Sequence, residues 1–157
     1  MRRTSYYVLL ILIILISGCS GGNPDRNLSM NYDFAEPFRF PFEVNEVRTE
    51  VEMDDPYALQ QYVFHYKNKQ TTQEIKLILS KVIDDPENVS EVGKSPFTLK
   101  NGKQAYYEED ENSQSIWWES KDGFLARFVY YINGYLDPLG DYKLNDSVLI
   151  DLADQVQ

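Results

Sequence analysis

Few side chains in this sequence are equipped for covalent or metal chemistry, and their numbers narrow the choices at once. The chain holds one His, His65, and one Cys, Cys19. Composition allows a Ser-His-Asp site, but no Ser stands in a Gly-x-Ser-x-Gly elbow or comparable strained turn. His65 is therefore expected to be an exposed strand histidine. The run Glu108-Glu109-Asp110-Glu111-Asn112 offers the hard oxygens that calcium takes, but lacks the spacing of a calcium loop and reads as a solvated hairpin turn. Paired carboxylates for glycoside hydrolysis are set in three dimensions, and among 25 acidic residues their presence carries little information. No metal site and no cofactor are expected.

The aromatic residues say more. Tyr106-Tyr107, Trp117-Trp118 and Tyr130-Tyr131 are adjacent pairs on separate segments with strand character. Neighbours on a strand point to opposite faces, so each pair puts one ring on each side of a sheet. One set forms a core beneath a helix. The other lines the opposite face, either as cross-strand packing or as a binding face for an acyl chain, a glycan or an extended peptide. These six are the candidate ligand-binding residues. The acidic surroundings favour a neutral or cationic ligand.

The elements that would position them follow from period and punctuation. Phe40, Phe42 and Val44 alternate on one side; Val47, Thr49, Val51 and Met53 then alternate against Glu46, Arg48, Glu50 and Glu52, which requires a bulge or break near Asn45-Glu46. Tyr62, Phe64 and Tyr66 oppose Val63, His65 and Lys67, and Asn68 to Thr72 makes a polar turn. Glu74 to Ile83 fits either a strand or a helix. A strand is chosen, because the preceding segment needs a hairpin partner and Asp84-Asp85-Pro86 breaks the run early. Asn101-Gly102 predicts a type I′ hairpin turn, and Lys121-Asp122-Gly123 a second hairpin turn. Asn145 can cap a closing helix whose stripe is Val148, Leu149, Leu152, Ala153 and Val156. The expected fold is α+β: a curved, mostly antiparallel sheet with a C-terminal helix packed on one face.

At 157 residues one domain is expected, and the net charge of −10 with a pI near 4.5 argues against nucleic acid. A single Cys excludes an intramolecular disulfide framework and a multi-cysteine zinc site. Arg2 and Arg3 precede an uncharged run from Tyr6 to Ile16, too short to cross a membrane and fit for a signal peptide. Ile16-Ser17-Gly18-Cys19 then resembles a lipobox, the motif of bacterial lipoproteins. The resemblance implies cleavage after Gly18 and a diacylglyceryl group on the Cys19 thiol. Residues 1–18 are accordingly the signal peptide, 19–33 the lipidated Cys and a flexible tether, and 34–157 one domain. Cleavage would leave 25 acidic side chains against 13 basic ones, a charge of −12. Acyl chains, and not basic residues, would then hold the protein at the membrane.

From Phe38 to Val156 the pattern resembles a domain of Gram-positive envelope lipoproteins and anti-sigma-factor ectodomains, distantly similar to lipoprotein carriers of the LolA/LolB kind. The matching stretches are Pro37-Phe38-Arg39-Phe40-Pro41-Phe42, Asn101-Gly102-Lys103-Gln104-Ala105-Tyr106, Ile116-Trp117-Trp118-Glu119, Gly123-Phe124 to Tyr131, and the closing helix. The family has no agreed activity, so the resemblance implies architecture and location. A lipobox replaces the transmembrane and sigma-binding segments of anti-sigma factors, so direct sigma control is not expected. The chain is expected to be a non-catalytic, membrane-anchored extracytoplasmic lipoprotein that binds an envelope ligand or protein partner. The alternatives are a small envelope hydrolase using carboxylates with His65, or a purely structural or immunity-type interaction protein.

Overall fold

A computed structural model describes residues 35–55, 59–82, 95–120 and 123–156, all within one compact unit, Tyr32–Gln157. The lipobox with Cys19, the tether, Asp84-Asp85-Pro86 and the first two residues of the Lys121-Asp122-Gly123 turn lie outside the described residues.

Seven strands form one open antiparallel sheet: β1 (Glu46–Asp55), β2 (Leu59–Lys67), β3 (Gln73–Val82), β4 (Ser95–Thr98), β5 (Gln104–Glu109), β6 (Ser113–Glu119) and β7 (Leu125–Ile132). Their spatial order is β1-β2-β3-β7-β6-β5-β4. One α-helix is present among the described residues, α1 (Asp146–Ala153), and it packs over β6. The fold is α+β, a curved antiparallel sheet with a C-terminal helix on one face.

Strand period decides which side chains meet that helix. The Tyr62, Phe64 and Tyr66 set of β2 lies opposite Leu79, Leu77 and Ile75 of β3, and these lie opposite Ala126, Phe128 and Tyr130 of β7. The row continues through Trp118, Ile116 and Gln114 of β6 to Ala105 and Tyr107 of β5. Nearly all of these side chains are buried, with Leu149, Leu152, Ala153 and Val156 above them. Gln114 is wholly buried on this apolar face and fully bonded: its amide donates to the Leu144 carbonyl and its Oε1 accepts from the Leu144 N–H at 2.8 Å. It ties the sheet to the residue before the helix cap. Asn145 caps α1 as expected, accepting from Ser147 N–H at 3.0 Å.

The described part of the Glu74 to Ile83 run, through Val82, is strand: β3 occupies an inner position, flanked by β2 and β7. A helix there would leave the backbone edges of β2 and β7 unpaired. Three local expectations are corrected. Phe40 to Val44 join no ladder. They cross the helix face instead, with the Phe40 ring 4.7 Å from Tyr66 and Phe42 6.2 Å from Tyr130. Phe38 and Arg39 donate backbone N–H bonds to Gln155 Oε1 at 3.1 and 2.9 Å, fastening this arm beside α1.

The expected change near Asn45-Glu46 is a break, since β1 begins at Glu46; a bulge not expected from the alternation falls between Val51 and Met53, so Met53 lies opposite Gln61 and leaves the face of Val47 and Val51. The Asn101-Gly102 turn is not type I′, because only Gly102 has positive φ, at 86°. The loop is instead closed by Gly102 N–H to the Leu99 carbonyl and Leu99 N–H to the Lys103 carbonyl. Asn101 Oδ1 accepts from Lys103 N–H, a role that needs no left-handed backbone.

Candidate functional site

The three aromatic pairs divide between the faces as strand geometry requires, and on each face two of the rings are buried and the third is half-buried. Trp118 and Tyr130 are buried on the helix face. Tyr107 shares that face, half-buried, donating to Glu109 Oε2 at 2.7 Å and accepting from Gln114 Nε2. Burial, then the adjacent Glu109 carboxylate, push its hydroxyl up to about 12. These three rings serve the core and its edge.

Tyr106, Trp117 and Tyr131 take the opposite face. Tyr106 stacks on Trp117 with centroids 4.4 Å apart, directly across β5 and β6. Tyr131 stacks at 3.8 Å on Tyr135, a ring the strand pattern does not single out. Tyr135 belongs to the turn after β7, where Asn133, Gly134 and Tyr135 have φ of 44°, 63° and 68°. Left-handed backbone costs a non-glycine residue roughly 1–2 kcal/mol. The Tyr131 stack and the Lys76 ammonium, 5.2 Å from the Tyr131 centroid and 5.6 Å from that of Tyr135, supply compensation of similar size. Among the described residues no carboxylate pairs with Lys76. Tyr135 remains 38% exposed and its neighbour Leu136 79%. In the sequence Gly134, Pro138 and Gly140 mark a loop here, with nothing to show that it folds back over Tyr131.

His65 lies on this same face, and there the expectation of an exposed histidine fails. Its parity is as expected, but it is only 6% exposed. Nδ1 donates to Glu74 Oε1 at 2.7 Å, and Nε2 sits 3.3 Å from Glu50 Oε2. Burial by itself would raise the Glu74 carboxyl. Hydrogen bonds from His65 and Tyr131, with the charges of His65 and Lys67, outweigh it and hold Glu74 down at about 2. Tyr131, buried and donating to that carboxylate, is pushed strongly upward. Glu50, His65, Glu74 and Tyr131 thus link β1, β2, β3 and β7 in one bonded chain. With both ring nitrogens facing carboxylates, His65 is built as a brace between strands.

The acidic run is spent on the fold. Asp110 Oδ1 accepts from Asn112 N–H at 2.8 Å and Ser113 N–H at 2.7 Å, bonds that lower its carboxyl and close the β5–β6 turn. Glu109 pairs with Lys143 at 2.7 Å and Glu108 with Arg127 at 3.3 Å.

Two cavities are formed best among the described residues. One of about 410 Å³ lies where Arg39, Phe40 and Pro41 of the arm meet Val148, Asp151 and Leu152 of α1. One of about 130 Å³ lies over His65, with Glu46, Arg48, Lys67 and Glu74. Neither is lined by any of the six aromatic residues. Comparison with protein-family models, curated proteins and solved structures finds no match, so the functional reading rests on this geometry.

Proposed function

We propose that the chain is a lipid-anchored, extracytoplasmic, non-catalytic protein that binds an envelope partner through the sheet face opposite its helix. The anchor is Cys19 within Ile16-Ser17-Gly18-Cys19, with cleavage after Gly18. One observation carries the binding half: the face away from the helix ends in an exposed cluster of Tyr135 and Leu136 beside the stacked Tyr131 and the unpaired Lys76. Rings that combine apolar area with a polar tip suit contact with a partner's surface. Neither cavity is lined by the six paired aromatic residues, which favours a protein or extended ligand over an enclosed acyl chain. The carboxylates on both nitrogens of His65 favour a bracing role over a hydrolytic one.

Two measurements test this reading. Cys19→Ala should abolish incorporation of a labelled fatty acid and move the protein out of the membrane fraction. An unlabelled wild-type chain in the cytosol would overturn the anchor. A photo-crosslinking residue at Leu136, in the cells that make the protein, should give a discrete adduct that Lys76→Glu removes. A residue at Lys100, on the β4–β5 turn, should give none. Equal adducts at both positions, or none at Leu136, would overturn the binding face.

A further inference from the structure

We infer that β1 is a self-association edge, on which a second copy of this chain docks by antiparallel pairing about Thr49. β1 is the outermost strand beside β2, and among the described residues no strand covers its outer backbone edge. Unpaired N–H and C=O groups on such an edge template another strand, and natural sheets suppress this with like charges, prolines or bulges. Here the bulge leaves the regular ladder free from Glu46 to Val51. Val47 and Val51 stand 44% and 38% exposed, and they continue the apolar row of Tyr66, Phe64 and Tyr62 beyond the cover of the helix.

The side-chain pattern of this stretch is complementary to itself. Antiparallel pairing about a twofold axis at Thr49 sets Thr49 opposite its own copy and Val47 opposite the copy's Val51. On the other face it sets Arg48 opposite the copy's Glu50, and by symmetry this pair occurs twice. Opposite charges directly across a ladder stabilise it, and like charges destabilise it. Centring the pairing on Arg48 instead would oppose two arginines, and centring it on Glu50 would oppose two glutamates. Centring it on Val47 would set Arg48 opposite the copy's Glu46, but only the Thr49 register also sets Val47 against Val51, so charge and apolar area together select it.

The ion-pairing is already prepared within one chain. Arg48 reaches Glu50 at 2.9 Å while its side chain stays 62% exposed, so its guanidinium is free to fork between that carboxylate and the copy's. The second Glu50 oxygen is directed to His65, which fixes the carboxylate at the edge. Glu52, the extra residue of the bulge, ends the regular run, so the contact closes as a dimer.

The test is cysteine cross-linking of the full chain in its own membranes under mild oxidant, with the wild type as blank. Thr49→Cys should form a disulfide dimer, and Leu136→Cys, far more exposed, only a trace. Val47→Cys and Val51→Cys, each poor singly, should cross-link to each other when both chains are made together. Adding Arg48→Glu to Thr49→Cys replaces two attractive pairs by two repulsive ones and should cut the dimer roughly tenfold. If Thr49→Cys gives no more dimer than Leu136→Cys, or a mixed disulfide with another protein in place of a dimer, the inference is wrong. The Val47 and Val51 pair keeps the test decisive should Arg48→Glu or Thr49→Cys fail to fold.

Discussion

Trp118→Ala should lower the stability of the Tyr32–Gln157 unit by about 4–5 kcal/mol, at the upper end for removal of a buried aromatic side chain. The reason lies in its neighbours. Trp118 is 1% exposed and sits on β6 between Ala105 of β5 and Ala126 of β7, both directly opposite it in the ladder. Among the described residues the large ring packed near it is Phe128, 5.7 Å away. Two alanines have no side chain with which to refill the space, so the void persists and its lining loses contacts outright. Trp117→Ala supplies the comparison. Its cross-strand neighbours are Tyr106 and Arg127, long side chains able to lean into the vacated volume. The loss there should be nearer 2–3 kcal/mol by the same scale. Thermal unfolding checks both: for a unit of this size the Trp118 variant should melt roughly 12–15 °C lower. Equal losses for the two would mean that the alanine flanks do not set the cost.

The second large effect concerns the bonded chain through His65. Glu74→Ala should destabilise by about 3 kcal/mol, because it leaves the buried His65 Nδ1–H and Tyr131 hydroxyl without their acceptor. The pH dependence has a definite sign. Glu74 titrates near 2 in the folded chain and near 4.5 when unfolded, so its ionised form stabilises the fold fully above 4.5. That contribution is lost as pH falls toward 2. By linkage it amounts to at most about 3 kcal/mol. Urea unfolding followed from pH 5 to pH 2 should show a decline that Glu74→Gln largely flattens, since glutamine does not titrate. A wild-type curve parallel to that of Glu74→Gln would remove Glu74 as its cause.

Such a brace changes the meaning of the face opposite the helix. A strand histidine looks solvated when only its alternation with Phe64 and Tyr66 is considered. Burial came from residues that meet it across the ladders: Glu50 from β1 and Glu74 from β3, with Tyr131 behind Glu74. None of these is within eight positions of His65 in the chain, and acidic residues are too numerous for any one to stand out. Similarly, Tyr135 gains its place by folding a left-handed turn back over Tyr131, where Gly134, Pro138 and Gly140 mark only a loop.

What the sequence by itself determined was what short-range physics controls. Alternation of period two set the faces of β2, β3, β6 and β7, and Asn145 with its apolar stripe set the capped helix. Adjacent aromatic residues had to part to opposite sides of the sheet. The tertiary structure alone decided that β3 pairs with β7 across some fifty residues, that the Phe40–Phe42 arm packs on the helix face without joining the ladder, and that the bulge falls at Val51–Met53. It alone also made His65 a buried brace. Side-chain period and turn chemistry act over a few bonds, whereas burial and charge pairing depend on which distant strands lie side by side, and that choice belongs to the packing of the whole sheet.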